Sequence, residues 1–114
     1  MKIILLADNN EKRENGLMFH RPLNEDECAL FNFNHPGKYC FWNKNVSFPI
    51  SLIFCNANKE IVDIKKLDAQ QKEAVYPDSN EVFHVVEAHI DAPKKYNLDI
   101  GKKINIKNSE IFYD

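Results

Sequence analysis

Along this chain, short apolar runs of strand length alternate with polar punctuation. Residues 1–7 are rich in Ile and Leu and stop at Asp8-Asn9-Asn10, as a strand ending in a turn would. Residues 11–15 favour one or two helical turns, with Asn10 as cap and Gly16 near the end. Residues 28–34 show a period of two: Ala29, Phe31 and Phe33 fall on one face, Leu30, Asn32 and Asn34 on the other. His35-Pro36-Gly37-Lys38 predicts a turn, after which residues 39–42 are expected to pair back as a hairpin.

Residues 37–55 carry most of what is distinctive. They hold the only Trp, a polar knot at Asn43-Lys44-Asn45, and Pro49 ahead of the apolar run 51–55. Proline cannot donate to a sheet ladder, so a buried strand is expected to begin after Pro49. The polar turn 56–59 then joins it to a further strand over 60–66, forming a hairpin. Residues 67–76 fit either a short helix or a long excursion. A long strand follows over 81–89, with Val82, His84, Val86 and Ala88 on one side and Phe83, Val85, Glu87 and His89 on the other. One helical turn at 92–96, a strand at 103–106 and the apolar trio Ile111-Phe112-Tyr113 complete the chain. About seven short strands with frequent turns and little helix predict a mainly β fold. It is a compact antiparallel β-sandwich or partly open barrel with one or two short helices.

At 114 residues the chain is sized for a single domain, 1–114. Its net charge of −2 gives no basic face for nucleic acid, and 13 of its 15 cations are Lys rather than the base-reading Arg. With 14 Asn beside the Lys excess, the composition fits an AT-rich coding genome. Cys28, Cys40 and Cys55 are odd in number and widely spaced, so the expectation is three buried free thiols in a reducing compartment. The opening segment lacks the apolar length of a signal peptide, and no run reaches membrane-spanning length. A cytoplasmic location is expected, or a virion if the source is viral.

The serial order of several motifs resembles the domain of unknown function 192 family. They are Gly16-Leu17-Met18, Arg21, Leu23, Leu30-Phe31, Phe33, Phe41-Trp42, Lys44-Asn45, Pro49, Leu52-Ile53-Phe54, Ile61-Val62, Tyr76-Pro77, Glu87 and Gly101. The likeness spans about residues 6–106 and implies a compact β-rich fold with no established activity. Three motifs depart from the family's usual pattern. Cys28-Ala29 replaces Gly-Met, and Asn43 and Val46 replace the Met and Thr of Trp-Met-Lys-Asn-Thr. Ser51 stands where Pro-Leu-Asp-Ile carries its acid, which removes a carboxylate from that motif.

Glu87 is the foremost candidate for chemistry, because an acid on an apolar strand needs a partner or a proton. Arg21 and Lys44 are the candidate partners. Trp42 with Asn43, Lys44 and Asn45 fits a stacking platform edged by hydrogen-bonding groups, and equally a core Trp under a polar bend. His20, His35, His84 and His89 have no metal-ligand spacing, and no phosphate loop or nucleophile motif occurs. No catalytic residue, metal or cofactor is therefore assigned. The leading expectation is a non-enzymatic interaction or structural module with protein partners, for example a virion accessory or decoration protein. The alternative is a small-ligand-binding domain whose site residues are Arg21, Trp42, Lys44, Asn45, Ser51 and Glu87. A hydrolase or transferase using Glu87 as base is the third reading.

Overall fold

The structure, a computed structural model, describes residues 1–113. Its seven strands are β1 (Lys2–Ala7), β2 (Glu27–Gly37), β3 (Ile50–Cys55), β4 (Ile61–Leu67), β5 (Val82–His89), β6 (Ile104–Lys107) and β7 (Glu110–Tyr113). The helices are α1 (Asn10–Asn15) and α2 (Ala92–Lys95). All strands join one sheet in the order β4-β3-β5-β2-β1-β7-β6. The sheet curls so far that its two ends meet: Glu60 bridges Lys103, and Ile61 donates to the Lys102 carbonyl at 2.8 Å. Of the two forms expected, the partly open barrel is the one adopted.

Most pairings are antiparallel, and the hairpin of β3 and β4 forms as the polar turn at 56–59 predicts. The exception is the parallel pair of β1 and β2. A parallel neighbour needs a long crossover, and the segment containing α1 supplies it. The hairpin expected over 39–42 does not form. β2 runs on through the Pro36-Gly37 turn signal, with a register shift against β5 between Asn32 and Gly37. Phe41 crosses over to pair with Val75 instead, with backbone hydrogen bonds of 3.0 and 2.8 Å. Residues 67–76 are the excursion and contain no helix.

β2, β3 and β5 are covered on both faces, which explains why every side chain of β3 is buried. One core holds Ala29, Phe31, Leu52, Phe54 and Val85, closed by Leu17, Val46 and Phe48 from the loops. The other holds Cys28, Leu30, Ile53, Cys55, Val86 and Ala88, closed by Ile104 and Ile111 of the β6–β7 hairpin. The expected alternation of β2 is thus correct, and Glu87 shares the face of Val85. Burial pushes the thiols of Cys28 and Cys55 up to about 12. The third thiol corrects the expectation. Cys40 is exposed, because Tyr39 and Phe41 on either side of it turn inward against the first core.

The entry to β2 is fixed by charge. Arg21 grips Glu27 with two bonds of 2.8 and 2.9 Å, and the Asn24 N–H donates to the same carboxylate at 2.8 Å. Those donors, Arg21 first, hold the Glu27 carboxyl down at about 2. A group with a depressed folded pKa stabilises the fold above its unfolded value and loses that contribution as pH falls toward the folded one. Arg21→Ala is therefore expected to lower the melting temperature by several degrees at neutral pH. The deficit should shrink as pH falls from about 4.5 toward about 2; a deficit constant across that range would contradict the assignment.

Candidate functional site

α1 is capped by Asn9, whose Oδ1 accepts from the Lys12 N–H at 2.9 Å, and it ends at Gly16 with φ +46°. That left-handed conformation favours glycine, and the space beneath it would just admit a Cβ. A Cβ on Gly16 would lie 3.4 Å from the Phe31 ring and 3.8 Å from the Glu87 Oε1. The chain thus passes directly over Phe31 and Glu87 before Leu17 enters the core.

The opposite wall is the loop 39–46. Tyr39 stacks on Phe33 with centroids 3.7 Å apart, and Phe41 meets Phe31 edge-on at 5.2 Å. Alternation then turns Trp42 outward and Asn43 inward. Asn43 is buried, and its Nδ2 donates to the carbonyls of Phe48 and Asp68, both at 3.0 Å. Its backbone N–H reaches the Gln71 carbonyl, so this one residue binds three segments together. Two of its donors are committed to carbonyls, and its Oδ1 accepts from no described residue.

Between these walls opens a cleft of about 600 Å³, lined by aromatic rings and by Arg13, Glu14, Asn43, Lys44 and Glu87. Glu87 lies in the floor, 4% exposed, beside Ala29 and Leu52 on the flanking strands. It accepts no hydrogen bond from any described residue, and burial alone pushes its carboxyl up to about 8. At neutral pH it is chiefly the neutral acid. Trp42 is 46% exposed at the cleft wall, with the Lys44 ammonium 5.5 Å from its ring. The reading of a core Trp under a polar bend is corrected here: the buried residue of the knot is Asn43.

Of the six expected site residues, the cleft gathers Trp42, Lys44 and Glu87. Arg21 is engaged with Glu27 and does not pair with Glu87. Ser51 is buried on β3 and donates to the Ile90 carbonyl at 2.9 Å. Asn45 adopts φ +60°, and its carbonyl accepts from Phe19, so it shapes the loop instead of lining the cleft. The sequence reading did not place Arg13, Glu14 or Gly16 at the site, although Gly16 was visible as a helix terminator.

A second hollow of about 460 Å³ lies between β1, β6 and the β2–β5 pair, where His84 Nδ1 and Asn32 Oδ1 are 2.7 Å apart. Among the described residues, no group of three or more His, Cys, Asp or Glu is placed to hold a metal ion. No helix there is long and apolar enough to cross a membrane.

A curled seven-stranded half-barrel with an aromatic-walled cleft over a buried acid defines the class of this molecule. Residues 3–106 match DUF192 (uncharacterized ACR), and the chain belongs to that family. Two solved structures share the fold, each with a TM-score of 0.82 and 22% identity. A protein of unknown function from Novosphingobium aromaticivorans matches over 89% of this chain and 72% of its own. A candidate transcription regulator from Sinorhizobium meliloti matches over 95% of this chain and 78% of its own. No curated protein matches the chain.

The unpartnered acid has a measurable cost. Its raised folded pKa means that stability is full below about 4.5 and falls as pH rises to about 8, because the folded state retains a proton that the unfolded state releases. Glu87→Gln is neutral throughout that window. It is expected to match wild type near the low end and to exceed it by on the order of 3–5 kcal/mol near the high end. Urea melts of both proteins across the window check this; parallel curves would contradict it.

Proposed function

We propose that the protein is a small-ligand-binding module and that the cleft over Glu87 is its site. One observation carries the reading: a carboxyl group buried in the floor of a cavity with no protein partner. Buried polar groups are ordinarily satisfied, and a core built only for stability would gain from an apolar residue at this position. Leaving the acid in place, open toward a cleft of ligand size, is consistent with a partner that arrives from solution. The aromatic walls would supply apolar contact area, and Glu87 would fix orientation.

A catalytic role for Glu87 as general base would draw on the same raised carboxyl, and no further observation favours it. A protein-interaction module, including a virion accessory or decoration role, is supported by a different observation. Phe19 is 84% exposed in a loop with φ +60°, a large apolar side chain presented to solvent. Phe112, also exposed, lies on β7, and Tyr113 beside it packs on Tyr96 at 4.9 Å.

A fragment library screened by amide chemical shift tests the leading reading. Hits are expected to perturb Gly16, Trp42, Lys44 and Glu87 together and to lose affinity about tenfold in Trp42→Ala, the scale of one lost aromatic contact. Hits that map elsewhere, or that bind Trp42→Ala unchanged, would sink it.

A further inference from the structure

The floor of the cleft holds one carboxyl group, Glu87, that meets no donor from the described residues. The Asn43 side chain donates nothing into the cleft: its Nδ2 is spent on two loop carbonyls, and its Oδ1 is closed off from solvent. The walls are aromatic, and two of their rings already hold a cation. The Arg13 guanidinium lies 5.4 Å from the Phe33 centroid and the Lys44 ammonium 5.5 Å from that of Trp42. Ring faces of this kind attract positive charge.

We infer that the ligand of this cleft is a small monoamine with a ring-sized apolar body. Its ammonium would donate to the Glu87 carboxylate, and its body would pack against Phe33, Phe41 and Trp42. This rests on the ligand-binding reading and adds the chemical class. Lys44, exposed at the wall and in no ion pair among the described residues, opposes a second positive charge and so disfavours polyamines. Arg13 donates to the Asn32 carbonyl at 2.6 Å and to Asn10 at 3.0 Å, and it forms no hydrogen bond or ion pair with Glu87. Glu14, at the same cleft, adds acceptor character.

Binding would be linked to protons. An ammonium stabilises the ionised carboxyl, so its arrival expels the Glu87 proton to solvent. The charged or titratable neighbours around the cleft are Arg13 and Glu14 from α1 and Tyr39, Cys40 and Lys44 from the loop, while the strand neighbours Ala29 and Leu52 are apolar. None of them supplies a competing acid in the floor.

Benzylamine, benzyl alcohol and benzoate, near-identical in shape, are suitable probes, read by calorimetry and by fluorescence of the single Trp. Benzylamine is expected to bind at least about tenfold tighter than the other two near pH 8, to tighten as pH rises from about 6 to about 8, and to release protons to the buffer. Glu87→Gln should weaken benzylamine by about tenfold or more, the scale of a lost charged hydrogen bond, while its thermal unfolding shows an intact fold. Equal or tighter binding of the alcohol or of benzoate to wild type overturns the amine inference and leaves the cleft reading standing. Unchanged benzylamine binding in Glu87→Gln overturns it as well. If none of the three binds, both the inference and the cleft reading are contradicted.

Discussion

A central strand covered on both faces has no polar outlet, and that constraint governs the rest of this molecule. β5 sits between β3 and β2, each buried front and back. Any polar side chain there must find its partner within the protein, carry a proton, or meet something from outside. Other buried polar groups are met internally: Glu27 takes Arg21 and the Asn24 N–H, Ser51 takes the Ile90 carbonyl, Asp63 accepts from the Ile64 and Asp78 N–H groups, and the Asn43 Nδ2 is spent on two loop carbonyls. Glu87 is the buried acid left without a donor, at the floor of the cleft. Gly16 contributes no side chain to cover it, and the aromatic loop stands beside it without filling the space.

The contrast between the two buried glutamates shows how local geometry sets opposite chemistry on one sheet. Glu27 and Glu87 are both nearly inaccessible. Donors surround the first and depress its pKa to about 2; nothing surrounds the second, and burial raises it to about 8. Desolvation raises both, far more at Glu87 than at Glu27, and only Glu27 has donors within reach to outweigh it. One acid pins the chain, and the other lies without a protein partner in the cleft floor.

Much of the fold was legible because its strands obey simple periodicity. The alternation of 28–34, the polar turn at 56–59 and the run after Pro49 each specify an element without help from distant residues. The failures share a cause: a tertiary partner outweighed a local signal. Pro36-Gly37 reads as a hairpin turn, yet β2 continues past it and Phe41 pairs with Val75, more than thirty residues away. Cys40 was misjudged for the same reason, since its inward neighbours could be identified only once Phe31 and Phe54 were in place around Phe41. Glu87 was legible as an acid on an apolar strand. Its missing partner was not, because Arg21 is equally plausible in sequence and only the fold commits it to Glu27.

The most direct measurement is the titration of the Glu87 carboxyl itself, followed by the side-chain carbon resonance of selectively labelled protein free of ligand. The account predicts a midpoint near 8, with Glu27 ionised down to about 2 in the same spectra. A Glu87 midpoint near the ordinary 4.5 would mean that the acid is solvated or paired. In that case the cleft has no unsatisfied group for a ligand to meet.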